Sequence, residues 1–374
     1  MKNKNFIVAG IFLVFIFIIT ILNIISPTKI YSEKEKRKLA QSPELNKETI
    51  LSGKFTQEFE EYFNDQFVFR DNWISLNTKY KILSLNKHIN DVYLGKNNYL
   101  FEDTSSYDTK KLYKNMDHLK NLISKYKDSI GENNINIMLI PNGSEILSDK
   151  LPKYATVLEQ QKILKDAEVM YKDNFINTYD ILKRNKSKYI YYKTDHHWTT
   201  LGAYYAYNAW ADKTNHEIKP FSSDNTKIIS TNFLGTIYSK INYAKEPDII
   251  TIYNPEEKYS VNYDSNTSSS TSLYNLEYLE KKDQYSVFLD GNHGLVTITS
   301  SNTNGKNLLI IKDSYANCFI PFIADEYEKI HVIDLRYYNS SLESYIEDND
   351  ISELLVLYNI NSIAKDTNLY KVTK

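Results

Sequence analysis

Leu308-Leu309-Ile310-Ile311-Lys312-Asp313-Ser314-Tyr315 joins a short apolar run to a polar turn that carries a hydroxyl. The run has the length and bounds of a buried strand. Tyr315–Tyr327 reads as the helix that follows, bent at Pro321. His331–Leu335 then reads as a strand, Leu342–Asn349 as a helical stub and Glu353–Tyr358 as a last strand. This rhythm predicts an α/β fold, a parallel sheet with helices on both faces. Reactive groups in such sheets collect at the carboxyl ends of strands, which is where Ser314 falls. A serine there projects from a tight turn, and the N-terminus of the next helix offers N–H groups to a developing oxyanion. The same position also suits a plain helix cap.

Upstream, Tyr285–Leu289 and Leu295–Thr299 read as further strands. From Ile228 to Lys282 the helical signal fades into short strands and turns, so 240–282 is expected to be an irregular insertion. Within it, the Ser/Thr/Asn-rich stretch Asn262–Ser272 reads as a surface loop. Earlier still, Thr109–Asp128 and Val157–Tyr171 have helical spacing, and Ile135–Pro141 reads as a strand ending in a turn. Val92–Leu94 and Tyr99–Leu100–Phe101 read as a hairpin around Gly95–Asn98. Phe55, Phe59, Phe63 and Phe67 recur every fourth residue, then Trp73, Leu76, Tyr80 and Leu83 shift phase. Two helices with a break between Asn64 and Asn72 follow from that shift.

A second chemical cluster lies in mid-chain, Thr194-Asp195-His196-His197-Trp198, after an expected strand Tyr189–Tyr192. In an extended segment Asp195 and His197 face one way and His196 the other. A carboxylate that holds an imidazole in one tautomer makes a general base. With the distant Ser314, the set has the parts of a serine hydrolase or acyltransferase. Two other readings stay open. Asp195, His196 and His197 are metal-ligand types, although adjacent residues seldom converge on one ion. An Asp–His pair could instead help cap the helix that Thr199 or Thr200 opens. His196 is either a hydrogen-bonding neighbour of the pair or a packing residue. The backbone N–H of Ser314 is one oxyanion donor; Gly291, Asn292, Asn142 and Gly143, all in turns, are candidates for others. Arg336, at the end of a strand, is a candidate for meeting an anionic substrate.

The sequence has 374 residues, a formal net charge of −2 and one cysteine, Cys318. That balance gives nucleic acid binding no electrostatic support. An internal disulfide and a multi-cysteine metal site are impossible. Phe6–Ile25 is almost wholly apolar, long enough to cross about 30 Å of hydrocarbon as a helix. Lys2 and Lys4 precede it, which favours a cytoplasmic N-terminus. The run ends at Asn23-Ile24-Ile25-Ser26-Pro27 without a small-x-small cleavage site, so an uncleaved anchor is favoured over a signal peptide. Lys29, Lys34, Lys36, Arg37 and Lys38 on the far side dilute that charge bias. The expected organisation is a cytoplasmic stub and membrane anchor over 1–28, a juxtamembrane linker over 29–50, and an extracytoplasmic domain over 51–374.

Thr194-Asp195-His196-His197-Trp198 resembles the signature of the DHHW protein family. Blocks along most of the exported chain share the resemblance: Ser32-Glu33, Arg37-Lys38-Leu39-Ala40, Tyr62-Phe63-Asn64-Asp65, Tyr93-Leu94-Gly95-Lys96, Asn232-Phe233-Leu234-Gly235, Tyr285-Ser286-Val287-Phe288, Lys312-Asp313-Ser314-Tyr315 and Asp334-Leu335-Arg336-Tyr337-Tyr338. The family is similar to the SGNH-hydrolase-like domain of the alginate O-acetyltransferases AlgJ and AlgX, in which an Asp-x-His pair also precedes the serine. The resemblance implies an SGNH-like sheet in which Ser314 takes the acyl group, His197 is the base and Asp195 orients it. It implies O-acetyl transfer to a cell-surface or secreted polysaccharide, with no cofactor and with a membrane O-acyltransferase as possible donor partner. A carbohydrate esterase using the same triad and a non-catalytic envelope assembly protein are the alternatives. One departure stands out: Lys312 sits where an SGNH block has glycine.

Overall fold

The computed structural model describes residues 2–32, 37–254, 256–265 and 267–373. Glu33 of the first family block, Lys34 and Lys36 lie outside the described residues, as do Pro255 and Asn266 within the expected insertion.

Ile135–Ile140 is buried at every position, and the same holds for five of the six residues of Asn307–Lys312. Strands apolar on both faces must be covered on both sides. These two belong to a seven-stranded sheet: β1 (Ile135–Ile140), β2 (Ser260–Tyr263), β3 (Ser268–Ser270), β4 (Leu295–Thr299), β5 (Asn307–Lys312), β6 (Lys329–Ile333) and β7 (Glu353–Asn359). Their order is β3-β2-β4-β6-β5-β7-β1. The sheet is mixed. β6, β5, β7 and β1 are parallel, while β4, β2 and β3 extend one edge antiparallel.

Alternation within the parallel strands divides the core. Leu308, Ile310, Val332 and Leu357 pack with the helix Thr200–Thr214 and the short helix Ile320–Ile323. Leu309, Ile311, Ile333 and Val356 face the other way, against Thr109–Tyr126, Gln160–Tyr171 and Ile360–Lys365. From β5 the chain passes to β6 on one side, then crosses to β7 on the other. That reversal makes the carboxyl end of β5 a switch point, where open α/β sheets form their crevice.

Four expected elements differ. Tyr315–Tyr327 is not one bent helix but a 3₁₀ turn Ser314–Cys318, the short helix Ile320–Ile323 and a second 3₁₀ turn Ala324–Glu326. Asn262–Ser272 is not simply a loop: it contributes to β2 and β3, which pair as a hairpin through Asp264 and Ser265, both at positive φ. Tyr285–Leu289 is not a strand but a 3₁₀ turn, Gln284–Val287. Leu289, Asp290 and Gly291 at positive φ curl the chain there, so tertiary context overrides β-propensity. Tyr189–Tyr192 forms only an isolated bridge, Tyr191 with Trp198.

The sheet lies in a unit comprising 91–238 and 244–374. A second unit comprises the chain through Asn90 together with 239–243. It holds the helix Lys2–Ile25, whose Phe6–Ile25 segment of 20 residues is long and apolar enough to span a membrane. It also holds helices Lys54–Gln66 and Arg70–Leu83, broken at Phe67–Phe69 as the phase shift predicts. Phe55, Phe59 and Phe63 stack ring on ring along the first, and Phe67 just past its end meets Phe63 edge-on.

Candidate active site

Ser314 directly follows the Asp313 that caps a 3₁₀ turn, Ser314–Cys318, at the end of β5. Asp313 Oδ1 accepts from Tyr315 N at 2.9 Å and Oδ2 from Asn359 N at 2.9 Å, so the aspartate ties the turn to the end of β7. Ser314 is the one partly exposed residue between Leu308 and Ala324.

The Asp195–His197 pair comes from a tight loop rather than from an extended strand. Tyr192 N–H bonds His197 O at 3.2 Å, and Asp195 Oδ1 accepts from the His197 backbone N–H at 3.0 Å. This Asx-type turn puts the carboxylate beside the ring of the residue two further on. His197 Nδ1 lies 2.6 Å from Asp195 Oδ1, and its Nε2 lies 2.7 Å from Ser314 Oγ. Three residues from two distant segments thus form one continuous hydrogen-bonded chain. Trp198, fully buried, bridges the two segments by donating from Nε1 to Tyr315 O at 3.0 Å.

Surrounding groups fix each member. Asp195 Oδ2 accepts from Thr236 N at 2.7 Å and Thr236 Oγ1 at 2.9 Å. A Cβ on Gly235 would stand 2.4 Å from that same oxygen, so the close approach requires glycine. Asp248, at the start of the strand Asp248–Tyr253, clamps the approach to the loop. Its Oδ2 accepts from Thr194 N at 2.7 Å and Thr194 Oγ1 at 2.6 Å, and its Oδ1 from Lys193 N at 2.7 Å. The Tyr285 ring lies flat on His197, with centroids 3.7 Å apart and planes 9° off parallel, and its hydroxyl donates to Ser314 O at 3.2 Å. Thr236, Gly235, Asp248 and Tyr285 were not picked out as site residues by sequence. Gly235 and Tyr285 sit in family blocks, which is the signal that could have flagged them; Thr236 and Asp248 carry none.

Burial and charge set the protonation states. Burial pushes His197 down to about 4, assisted by His196 and opposed by Asp195. Burial also opposes the Asp195 charge, but His196, His197 and the Thr236 N–H outweigh it and hold the carboxyl well below its usual range. At neutral pH the ring is therefore uncharged. It donates from Nδ1 to an ionised Asp195 and leaves Nε2 to accept the Ser314 proton.

His196 borders the pair without a direct hydrogen bond to it: its Nδ1 meets Thr236 Oγ1 at 2.6 Å and lies 3.7 Å from Asp195 Oδ1, and its side chain is 31 % exposed. Potential ligand atoms of Asp195, His196 and His197 do fall within 4.8 Å of one another. Both His197 nitrogens, both Asp195 oxygens and His196 Nδ1 are engaged in the bonds just given, so the arrangement fits a proton relay better than an ion.

The other candidates separate. Asn142 Nδ2 donates to Tyr315 Oη at 3.2 Å and Asn359 Oδ1 at 3.0 Å, which occupies both its amide hydrogens. Gly143 opens the helix Gly143–Ile146, with Tyr191 3.4 Å from where a Cβ would be. Arg336 grips Asp334 through Nε at 2.8 Å and Nη2 at 2.5 Å. Gly291 also reaches the Ser314 turn, as Asn142 does through Tyr315: Asn317 Nδ2 donates to Gly291 O at 2.9 Å, and Asn292 Oδ1 accepts from Lys312 Nζ at 3.2 Å.

The fold and this site define an α/β protein with an Asp–His–Ser hydrogen-bonded chain at the sheet's switch point. The chain belongs to the DHHW protein family, whose sequence profile matches residues 98–333. A DHHW family protein from Eubacterium siraeum superposes with a TM-score of 0.63 at 25 % identity, over 76 % of this chain and 95 % of the other. Bacillus cereus PatB1 with a sulfonyl adduct superposes with a TM-score of 0.63 at 20 % identity, over 76 % and 100 %. The O-acetyltransferase domain of Pseudomonas putida AlgJ gives a TM-score of 0.45 at 12 % identity, over 74 % and 92 %. No curated protein matches the sequence.

Proposed function

We propose that this protein is a serine-dependent O-acyltransferase of the cell envelope, held by its N-terminal helix with the sheet-bearing unit outside the cytoplasmic membrane. The observation that carries the reading is the relay itself, Asp195 to His197 at 2.6 Å and His197 to Ser314 at 2.7 Å. Placement of nucleophile, base and orienting carboxylate within hydrogen-bond reach of one another is what acyl-enzyme chemistry requires.

Ser314 Oγ attacks the carbonyl carbon of an acyl donor while His197 Nε2 takes the serine proton. The donor's leaving oxygen departs with that proton, and the acyl group stays on Oγ as an ester. A polysaccharide hydroxyl then gives its proton to His197 and attacks the ester, and Ser314 recovers the proton as it leaves. Asp195 stays ionised throughout and stabilises the imidazolium formed in each half. The family's similarity to alginate O-acetyltransferases favours an acetyl group and a sugar acceptor; water as acceptor would make the same site an esterase.

Two measurements test this. Turnover of a small acetyl ester should fall at least about 10³-fold in Ser314→Ala. Acetyl transfer to an added oligosaccharide should compete with hydrolysis in the unsubstituted enzyme. Water as the sole acceptor across a panel of glycans would overturn transfer, and full turnover by Ser314→Ala would overturn the acyl-enzyme.

A further inference from the structure

The helix Arg70–Leu83 takes no part in the acyl transfer above, yet it carries apolar side chains on two opposite faces. One face turns inward. Thr78 is buried and donates from Oγ1 to Ile241 O at 2.9 Å, and Ile74 and Ile82, four residues to either side, are partly buried. The other face turns outward. Trp73, Leu76, Tyr80 and Leu83 follow one another at steps of three, four and three, which aligns them in a stripe opposite Thr78. They are 37 %, 57 %, 68 % and 82 % exposed. Asn72 and Lys79 border the stripe on one side, Asn77 and Lys81 on the other. A helix on a water-soluble unit buries a single stripe. A second, open stripe of Trp and Leu between lysines is the make-up of a helix that lies in a lipid interface.

The first residue of the stripe shows what covers it. Trp73 meets Phe15 of the membrane-spanning segment edge-on, with ring centroids 6.4 Å apart and planes at 84°. Phe15 stands ten residues before Ile25, about 15 Å along the helix axis. A bilayer that covers Phe6–Ile25 therefore covers the Trp73 ring as well. Polar groups at this junction are paired internally, as hydrocarbon demands. Trp73 Nε1 donates to Val68 O at 3.1 Å, Val68 N to Asn23 Oδ1 at 2.9 Å, and Asn23 Nδ2 to Ile19 O at 2.8 Å. Asn23 and Thr20 are the two polar side chains in the apolar run, and Asn23 thereby gains a role: it fastens the break at Phe67–Phe69 to the spanning helix.

We propose that the helix Arg70–Leu83 is a second membrane contact, its Trp73–Leu83 stripe seated among acyl chains in the leaflet at the Ile25 end of the spanning helix. Lys79 and Lys81 then extend their stems toward lipid phosphates. A lone spanning helix can swivel and tilt; a second contact fixes the tilt of the unit that carries both. This contact presupposes the anchor proposed above and is independent of the acyl transfer.

Trp73 is the exposed member of three tryptophans, since Trp198 and Trp210 are buried. The test reconstitutes full-length protein into phosphatidylcholine–phosphatidylglycerol vesicles, with and without brominated acyl chains. The emission that Trp73→Phe removes should be lost in brominated vesicles and should resist iodide added to the water. Leu83→Cys, labelled with a nitrobenzoxadiazole dye while Cys318 stays buried, reads the far end of the stripe. Its dye should be quenched by nitroxide-labelled acyl chains. Iodide quenching at either position, with no effect of the lipid quencher there, overturns the proposal. Protection from both quenchers overturns it too, because a protein, a second copy included, then covers the stripe. If Trp73→Phe does not fold, the Leu83 dye decides alone. Alkaline carbonate extraction separates the two readings. Release of the protein from the vesicles sinks the anchor, whereas retained protein with an iodide-quenched dye sinks only the second contact.

Discussion

On the proposed reading, His197 can serve as a base because it is dry. Its ring is sealed by Tyr285 on one face, and burial pushes it down to about 4. The neutral form needed to accept the Ser314 proton is thus present above that pH and is lost as pH falls through it. The acid limb of kcat/KM should lie near pH 4 instead of near the ordinary histidine value of about 6.5. Tyr285→Ala admits water and should move that limb upward by about one unit or more. An unmoved limb in that variant would mean another group seals the ring. Sequence gave the three members of the relay, since a serine at a strand end and an Asp-x-His pair are visible as residue types in order. Tyr285 was hidden because its segment reads as a strand, and only the positive-φ curl after it turns the ring onto His197.

At the scale of elements, the Asp195–His197 pairing was expected for a reason the structure replaces. Alternation along a strand would place both side chains on one face, but Tyr189–Tyr192 makes only an isolated bridge, and an Asx-type turn does the work instead. What holds this loop is contributed from 41 to 54 residues downstream, by Gly235, Thr236 and Asp248. Such contacts leave no periodic trace, which is why the stretch from Ile228 reads as irregular. The parallel strands and helices were legible because their faces are continuous and apolar. The β2–β3 hairpin was not, because a Ser/Thr/Asn-rich edge carries little hydrophobic alternation. Gly235→Ala tests the loop's support. Its Cβ would fall 2.2 Å from Asp195 Cβ, so it should cost about 1–3 kcal/mol of stability and displace the carboxylate from His197. Unchanged Tm together with unchanged kcat would show that the loop yields freely.

Across the whole molecule, two buried histidines bias stability against acid. Burial pushes His197 and His331 down to about 4. Between that value and the unfolded value of about 6.5, the unfolded chain binds more protons than the folded one, so stability falls as pH drops through this window. Tm should decline from pH 7 to pH 4.5, and replacing His331 with glutamine should flatten part of the decline. A Tm that rises over the same range would contradict the sign.

His197 meets a serine 117 residues away, and the loop that holds it is bonded by Gly235, Thr236 and Asp248 from the segment lying between. A partly folded chain therefore carries a dispersed, inert set of side chains. Closing loops of that length is entropically slow and comes after local helices form. His197 reaches Ser314 only when the sheet and the segment that carries Gly235, Thr236 and Asp248 are both in place. On the acyl-enzyme reading, topology thus acts as a safety catch, withholding reactivity from every intermediate that could acylate itself or its neighbours.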